Sequence, residues 1–279
     1  MLIARNHMNF GFSTFFFIQK HINDVIDEII THGIKTIELS LEIPHMPNMD
    51  GDFVQRMAAL SRDGVDFSIH APFFEVNLGS YQKEIRQFSR KKTRIAIDMA
   101  HKIGANPVVL HPGYTFWMDK IKDVADTSRS YFMKDLQDIV SYATRRGVTI
   151  ALEQIPMHFF FFYDLPEFPI LRETIPDLAM TFDIGHAYVT KRAKKIEDPE
   201  GAIIEDLKTI GIRNLSDVHL HNNKGKRDEH LFPDGNIDIK RILIFLKEEG
   251  YTGKVIIESY EMERNGIPLV LEKLYSLAH

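Results

Sequence analysis

Residues of the types that bind metal ions stand at the ends of six short apolar segments of this chain. The segments are FSIHAPF, VVLHPGY, IALEQIP, MTFDIGHAY, VHLHNNKGKRDEH and VIIESY. Their imidazoles and carboxylates are His70, His111, Glu153, Asp183, His186, His219, His221, Asp228, His230 and Glu258. One histidine at a strand end is usually a hydrogen-bonded structural residue. Because the pattern recurs in six segments, and because imidazole and carboxylate are ligands of catalytic zinc, manganese and iron, the sequence predicts a metal centre.

The composition limits what this centre can be. The chain has 279 residues and no cysteine, which excludes thiolate ligands, disulfides and cysteine nucleophiles. Its net charge of −5 weakly opposes a nucleic-acid-binding function, because duplex binding draws much of its affinity from basic residues on phosphates. Two basic runs, KRAKK at 191–195 and KGKR at 224–227, are either solvated surface charge or phosphate-binding groups. The phosphate or substrate candidates in them are Lys191, Lys195, Lys224 and Arg227.

The chain is expected to be cytoplasmic, with no membrane partner. Its longest apolar stretches are strand-sized and fall well short of the roughly 20 residues that span a bilayer. The N-terminal sequence MLIARNHMNFGFS has no long apolar segment followed by a small-residue cleavage site, so it does not predict a signal peptide.

Strand and helix patterns alternate along the chain and predict eight strand-plus-helix units. The strands are NFGFST, KTIELS, DFSIH, PVVLH, VTIALE, LAMTFD, DVHLH and KVIIES. Helices are predicted over 22–30, 53–60, 82–103, 131–146, 165–174, 203–210, 240–249 and 268–277. The strands look continuously apolar, as parallel strands covered on both faces do. We therefore predict one (β/α)8 TIM barrel over residues 1–279, with its chemistry at the carboxyl ends of the strands. The alternative, a doubly wound open sheet, would place its site at one switch point.

In such a barrel the candidate ligands form sets according to the strands they follow. The set from strands five to eight, which could share one ion, is Glu153, Asp183, His219 and Glu258. His70 and His111 could hold a second ion bridged by Glu153, and a third could be held by His186, Asp228 and His230. DIGH is expected to place its Asp and His around one tight turn, and D-E-H to lie in an extended segment. His221 shares a strand face with His219, so either could be the ligand.

The motifs HAPFFEVNLGS, LHPG, LEQ, FDIGHA, HLHNN followed by D-E-H and G-N-I-D, and IIESY resemble the xylose-isomerase-like TIM barrel superfamily. That superfamily contains sugar-phosphate isomerases and epimerases as well as endonuclease IV, and the resemblance runs from GFST to ESY. It implies a divalent cation: zinc, manganese, magnesium or cobalt. In the isomerase branch it implies one ion on Glu153, Asp183, His219 and Glu258, with the two glutamates as proton carriers. In the endonuclease IV branch it implies three ions on all of the candidates except His221. The spacing of His219 to the polar residue three positions on resembles the family's His-Leu-x-Asp pattern, which favours His219.

Three departures from the family's motifs bear on this interpretation. Asn222 stands where the family has an acidic residue, and Pro233-Asp234-Gly235 replaces its Gly-x-Gly. The first departure bears on a contact to the metal ligands, and the second on the conformation of the loop. The first strand has GFSTFFF in place of the Gly-His motif of the DNA-repair branch, which favours the sugar branch.

The sequence analysis leads to one favoured function and two alternatives. The favoured function is a metal-dependent isomerase or epimerase of a sugar or sugar phosphate, with proton transfer by Glu153 and Glu258. The first alternative is zinc-dependent phosphodiester hydrolysis at abasic DNA, and the second is a catalytically silent sugar-binding barrel. The aromatic run FFFFY at 159–163 is interpreted as packing, with a substrate lid as the other interpretation. Phe73 and Phe74 are likewise expected to pack, or else to roof the pocket or stack on a base.

Overall fold

The computed structural model describes residues 8–278. The first seven residues, on which the predicted absence of a signal peptide partly rests, lie outside the described residues. Within residues 8–278, no helix is long and apolar enough to cross a membrane.

Eight parallel strands close into a barrel in chain order, as the sequence predicts. They are β1 (Asn9–Ser13), β2 (Thr36–Ser40), β3 (Asp66–His70), β4 (Val108–Leu110), β5 (Ile150–Glu153), β6 (Ala179–Asp183), β7 (Leu215–Leu220) and β8 (Lys254–Ile257). The helices are α1 (Ile22–Thr31), α2 (Gly51–Arg62), α3 (Lys83–Ile103), α4 (Lys122–Thr144), α5 (Phe168–Thr174), α6 (Ile184–Ala193), α7 (Pro199–Ile210), α8 (Ile239–Glu248), α9 (Glu261–Asn265) and α10 (Ile267–Ala278). The closed barrel confirms the predicted fold and excludes the open sheet.

Several elements differ from the sequence prediction, most of all α4 and α6. Helix α4 begins at Lys122, nine residues before its predicted start at 131. These first turns are not predicted from the sequence because they are polar and lack an apolar periodicity. DIGH places Asp183 and His186 around one turn, as predicted, and this turn is the first turn of α6, a helix that is not predicted from the sequence. Asp183 caps that helix, since its Oδ1 accepts a hydrogen bond of 2.6 Å from the backbone N–H of His186.

The strands are not continuously apolar, because every second side chain points into the barrel and many of these are polar. In β2, Glu38 and Ser40 lie on one face, while Ile37 and Leu39 lie on the other and belong to the hydrophobic core. On the adjacent strands β6 and β7, the polar residues Thr181 and Asp217 pair in register. The core therefore lies mainly between the sheet and the surrounding helices.

Lys254 closes the amino-terminal end of the polar interior. Its Nζ donates to the carbonyl oxygens of Phe67, at 2.8 Å, and Asn106, at 2.5 Å, and lies 2.8 Å from Asp66 Oδ1. The predicted ligands lie at the other end, at the carboxyl mouth, where TIM barrels carry their active sites.

Candidate metal centre and adjoining cavity

The carboxyl ends of β5 to β8 bring one group of predicted ligands together at the centre of the mouth. Donor atoms of Glu153, Asp183 and His219 lie within 4.8 Å of one another. Glu258 joins them, with its Oε1 3.5 Å from His219 Nδ1. All four residues are buried. We call these four residues the first donor group.

Two atoms of the first donor group are buried without a hydrogen-bond partner among the described residues. They are Nδ1 of His219 and Oδ2 of Asp183. Buried polar atoms without a partner are rare, because leaving them unpaired costs free energy. A divalent cation between three carboxylates and an imidazole would satisfy both atoms, and this ligand set suits zinc or manganese. The residues present therefore fit a metal.

The Glu38 carboxylate accepts a hydrogen bond from Nε2 of His219, the ring nitrogen that faces away from the other ligands. Its Oε2 lies 3.2 Å from His219 Nε2. Because an ionised carboxylate can only accept, Nε2 carries a proton, and Nδ1 is the nitrogen that can bind a metal once it has lost its own proton. Both residues are fully buried. Burial opposes ionisation of Glu38, but the positive charge of His219 outweighs it and lowers the Glu38 pKa. This arrangement orients a metal-binding histidine in many proteins.

Asp217 completes a buried cluster with Glu38 and His219, in which donor atoms of all three lie within 4.8 Å. Thr181 Oγ1 donates to Asp217 Oδ1 at 2.6 Å. Burial raises the pKa of Asp217 to about 6, with the charge of Glu38 acting in the same direction and His219 opposing it. Glu38 and Asp217 were not among the predicted site residues. The signal was present, since polar residues alternate in TIELS and SDVHLH at the period of a strand.

The two glutamates of the first donor group lie in different electrostatic surroundings. Glu153 Oε2 lies 3.3 Å from His70 Nε2 and 3.2 Å from His111 Nε2. Burial opposes its ionisation, but the surrounding imidazoles, with His219 and His111 first, hold the pKa of Glu153 well below its usual range. In Glu258, burial raises the pKa to about 8, with repulsion from Glu153 contributing and His219 opposing. A bound cation would favour the ionised form of Glu258.

A second donor group lies beside the first and consists of His186, His221, Asp228 and His230. Its three histidines share one arrangement, in which Nδ1 donates to a backbone carbonyl and Nε2 faces Asp228. The accepting carbonyls belong to Gln154, Asn222 and Glu258. The Nε2 to Asp228 distances are 2.9 Å for His186, 3.3 Å for His221 and 3.1 Å for His230. The geometry thus places His219 in the first donor group and His221 in the second.

Two backbone features admit this second donor group. Gly185 makes room for His221, because a β-carbon at Gly185 would lie 1.9 Å from Cε1 of the His221 ring. The extended segment predicted for D-E-H is wrong, since His230 has a φ of 47° in the left-handed region. Asp228 and His230 still share a side, because this local turn brings the imidazole back to the carboxylate.

The departures at Asn222 and Gly235 are structurally linked. Asn222 Nδ2 donates to the carbonyl of Pro233 at 2.8 Å, and its Oδ1 accepts from the N–H of Ile237 at 3.0 Å. A β-carbon at Gly235 would lie 2.1 Å from Asn222 Oδ1. The Asn222 side chain therefore holds the 233–237 loop through these bonds.

None of the four basic candidates lines either of the two cavities at the barrel mouth. Lys191 is buried and its Nζ lies 2.8 Å from Asp164 Oδ1 and 2.5 Å from Asp206 Oδ2, which already compensate its charge. The other three, Lys195, Lys224 and Arg227, are exposed. Their role in phosphate binding stays a prediction.

Two adjoining cavities lie at the mouth. The metal cavity, about 120 Å³, is lined by part of each donor group and by neighbouring side chains: Glu153, Glu258, His186, Asp228, His230, Phe15, Phe16, Ser40, His70, Phe73 and His111. The aromatic cavity, about 430 Å³, lies beside it and shares Phe73, His111, His186 and Asp228 with it. The aromatic run at 159–163, interpreted from the sequence as packing or as a substrate lid, has two environments. Phe161 and Phe162 are buried in the core, whereas Phe159 and Phe160 line the aromatic cavity.

The sequence pattern of xylose isomerase-like TIM barrels matches residues 26–276. The chain belongs to this family. This xylose isomerase-like barrel is 31% identical over 260 residues to the uncharacterized protein MJ1311 of Methanocaldococcus jannaschii, covering 90% of this chain and 84% of that protein. Membership confirms the resemblance carried by the motifs.

Solved structures share the barrel over nearly its whole length. A D-tagatose 3-epimerase-like protein has a TM-score of 0.78 at 28% identity, covering 97% of this chain and 98% of that one. The IolI protein with a bound zinc atom also has a TM-score of 0.78, at 16% identity, covering 97% of this chain and 96% of that one. At 16% identity the likeness shows the shared fold alone. The neighbours of this xylose isomerase-like barrel thus include proteins named as sugar epimerases.

Proposed function

We propose that this protein is a divalent-metal-dependent isomerase or epimerase of a sugar or sugar phosphate. The observation that carries the proposal is the first donor group, which brings Glu153, Asp183, His219 and Glu258 from adjacent strands to one buried point. Glu153 and Glu258 line the metal cavity, and this cavity adjoins a larger one of the size that holds small organic ligands. The epimerase-like protein at 28% identity indicates the class of reaction. The identity of the ion and a cytoplasmic location stay predictions from the sequence.

The four ligands would hold the cation, and the two glutamates would move the proton. When bound, the cation supplies polarisation of a substrate carbonyl, which acidifies the adjacent C–H. Glu258 is the better placed to remove that proton, because neither of its side-chain oxygens is hydrogen-bonded within residues 8–278, and they lie 3.5 Å and 3.9 Å from His219 Nδ1 and His230 Nδ1. Glu153, which faces several imidazoles, would return it. A carboxylate in hydrogen-bond reach of the proton is a sufficient base despite its modest pKa.

Carbon-bound proton exchange tests this proposal directly. Purified protein loaded with zinc, manganese, magnesium or cobalt is incubated in D₂O with D-tagatose, D-psicose or D-fructose, and deuterium on carbon is followed by NMR. We expect incorporation in the wild type and a loss of about 100-fold or more in Glu258→Gln, because general acid–base catalysis contributes factors of that size.

Glu249→Gln is the matched control, since Glu249 is exposed at the end of α8. It should exchange at the wild-type rate. Exchange in Glu258→Gln equal to the wild type would contradict the proposed base, and loss of the folded circular dichroism spectrum would assign Glu258 a structural role instead.

Phosphodiester hydrolysis at abasic DNA is the second candidate, and the second donor group favours it. Together with His70, His111 and Glu153, that group offers ligands for two further ions. Against it, no described residue lining either cavity is a lysine or arginine. Three ions by elemental analysis, with salt-sensitive cleavage of abasic duplex DNA and no proton exchange, would establish this candidate over the first.

A further inference from the structure

The aromatic cavity extends the metal site on one side. It shares four lining residues with the metal cavity, so the two cavities are adjacent and one ligand of moderate length could contact both. Its 430 Å³ exceeds the 120 Å³ of the metal cavity more than threefold. A substrate confined to the metal end would leave this larger space without an occupant.

The walls of the aromatic cavity are apolar and carry little charge. Its ionisable residues are Glu75 and, at the metal end, His111, His186 and Asp228. None of its described lining residues is a lysine or arginine, the side chains that usually bind phosphate. Glu75 would repel a phosphate. The cavity therefore suits an uncharged group.

Six aromatic side chains give the cavity flat walls: Phe73, Phe74, Tyr114, Phe116, Phe159 and Phe160. Four pairs of lining rings lie 4.8 to 5.3 Å apart between centroids: Phe73 with His111, Tyr114 with Phe160, Phe116 with Phe159, and Phe159 with Phe160. Phe74 and Phe116 are 49% and 54% exposed, although burying them would be favourable. Aromatic faces that folding leaves open are typical of ligand sites.

Hydrogen bonds between the surrounding loops hold these walls in place. Asn77 fixes Tyr114 from both sides, because its Nδ2 donates to the Tyr114 carbonyl at 2.8 Å and its Oδ1 accepts from the Tyr114 N–H at 3.0 Å. The N–H of Thr115 donates to the carbonyl of Phe159 at 3.1 Å. Two lining residues, Glu75 and Phe116, have φ values of 56° and 46°. Such strained backbone persists where the surroundings impose it, and it clusters at ligand sites.

We propose that the substrate is a sugar bearing a flat, uncharged ring, with the sugar at the metal cavity and the ring between the aromatic walls. This rests on the proposed function and narrows its substrate class from a sugar or sugar phosphate to a ring-bearing sugar derivative. An aryl glycoside and a nucleoside share this chemistry. As the substrate of the proposed proton transfer, either would carry a keto group on its sugar, because a closed glycoside has no carbonyl to polarise. The parent glycosides and nucleosides therefore serve as non-reacting binding probes.

Binding of matched ligand pairs tests the proposal. Isothermal titration calorimetry of the metal-loaded full chain compares phenyl with methyl glycosides of D-glucose, D-galactose and D-mannose, and adds adenosine, uridine and glucose 6-phosphate. We expect at least one phenyl glycoside or nucleoside to bind about tenfold or more tightly than every methyl glycoside, the gain expected from one stacked ring. The phenyl and nucleoside arms distinguish the two sources. Absence of any such gain, or tightest binding by glucose 6-phosphate, overturns the proposal.

Variants of the cavity wall show where the ring binds. Phe159→Leu keeps an apolar side chain but removes the aromatic face. Tyr114→Leu does the same on the neighbouring paired segment, where the Tyr114 ring lies 6.4 Å from the Phe159 ring. In each variant the phenyl glycoside or nucleoside should bind at most about threefold more tightly than the methyl glycosides. Phe88→Leu is the matched control, because Phe88 is exposed on α3 and lines neither cavity. If the ring-bearing ligand keeps its full affinity advantage over the methyl glycosides in both wall variants, the proposal is overturned. Because this readout is binding, it is independent of whether proton exchange occurs.

Discussion

The two ring nitrogens of His219 face different partners at the bottom of the site. Nε2 donates to the buried carboxylate of Glu38, whereas Nδ1 faces Glu153 and Glu258 with no hydrogen bond to another described residue. The carboxylate fixes the tautomer and raises the basicity of the ligating nitrogen. Glu38 thus acts on a bound metal through His219.

Glu38→Gln should weaken metal binding by about 10- to 100-fold, the range for residues that orient a metal ligand. The amide lacks the negative charge that supports the imidazole. Competition with a chromophoric chelator measures the affinity. Glu42→Gln is the matched control. Glu42 is also buried, but its Oε1 accepts from the N–H groups of Phe73 and Phe74, and its side chain forms no hydrogen bond or ion pair with a histidine within residues 8–278. Equal affinities for Glu38→Gln and the wild type would contradict this role.

The sequence predicted the site residues at the strand ends but not those inside the strands, which lie deeper in the barrel. His70, Glu153 and Asp183 end apolar runs, and the barrel geometry alone brings such positions to one mouth. Glu38 and Asp217 lie inside strands, where alternating polar residues usually indicate a solvent-facing side. Only the closed barrel shows that this side is a buried interior.

At the scale of elements, α6 determines how the two donor groups meet. The helix begins directly after β6, so Asp183 caps it while His186 lies on its first turn. Gly185 lies between them, and its missing side chain lets the His221 ring from the end of β7 reach the second donor group. The shared DIGH segment therefore serves both groups.

Gly185→Ala should destabilise the protein by about 1–3 kcal/mol, the usual cost of an added group in a packed interior. The new β-carbon would overlap the fully buried His221 ring. Gly51→Ala is the matched control, because a β-carbon added to Gly51 at the start of α2 would meet no atom within 4 Å. That change should have little effect or stabilise by about 0.4–1 kcal/mol. Urea denaturation measures both, and equal stabilities of the two variants would refute the packing argument.

The order of the elements followed from the sequence because glycine stops and apolar periodicity are local signals. Helices such as α3, predicted at 82–103 and observed at Lys83–Ile103, have both signals. Helix α6 has neither, since it is buried along much of its length and shows no amphipathic pattern. The same burial conceals the first turn that positions Asp183 and His186.

At the scale of the whole molecule, the first donor group gathers side chains from four adjacent strands. The carboxylates among them repel one another. Glu153, Asp183 and Glu258 are buried together, and Glu153 and Asp183 contribute to raising the Glu258 pKa. Uncompensated buried charge is costly, so a cation bound there links barrel stability to metal binding.

Removal of metal should therefore lower the melting temperature of the whole barrel. A cation at 100 times its dissociation constant stabilises the folded state by about 2.7 kcal/mol. For a chain of this size that corresponds to a shift of about 5–10 °C. Differential scanning calorimetry with zinc, and then with excess chelator, measures the shift. In His219→Asn the first donor group loses its only imidazole, so the zinc-dependent shift should largely disappear. A shift as large in His219→Asn as in the wild type would place the stabilising ion elsewhere, with the second donor group as the next site to alter.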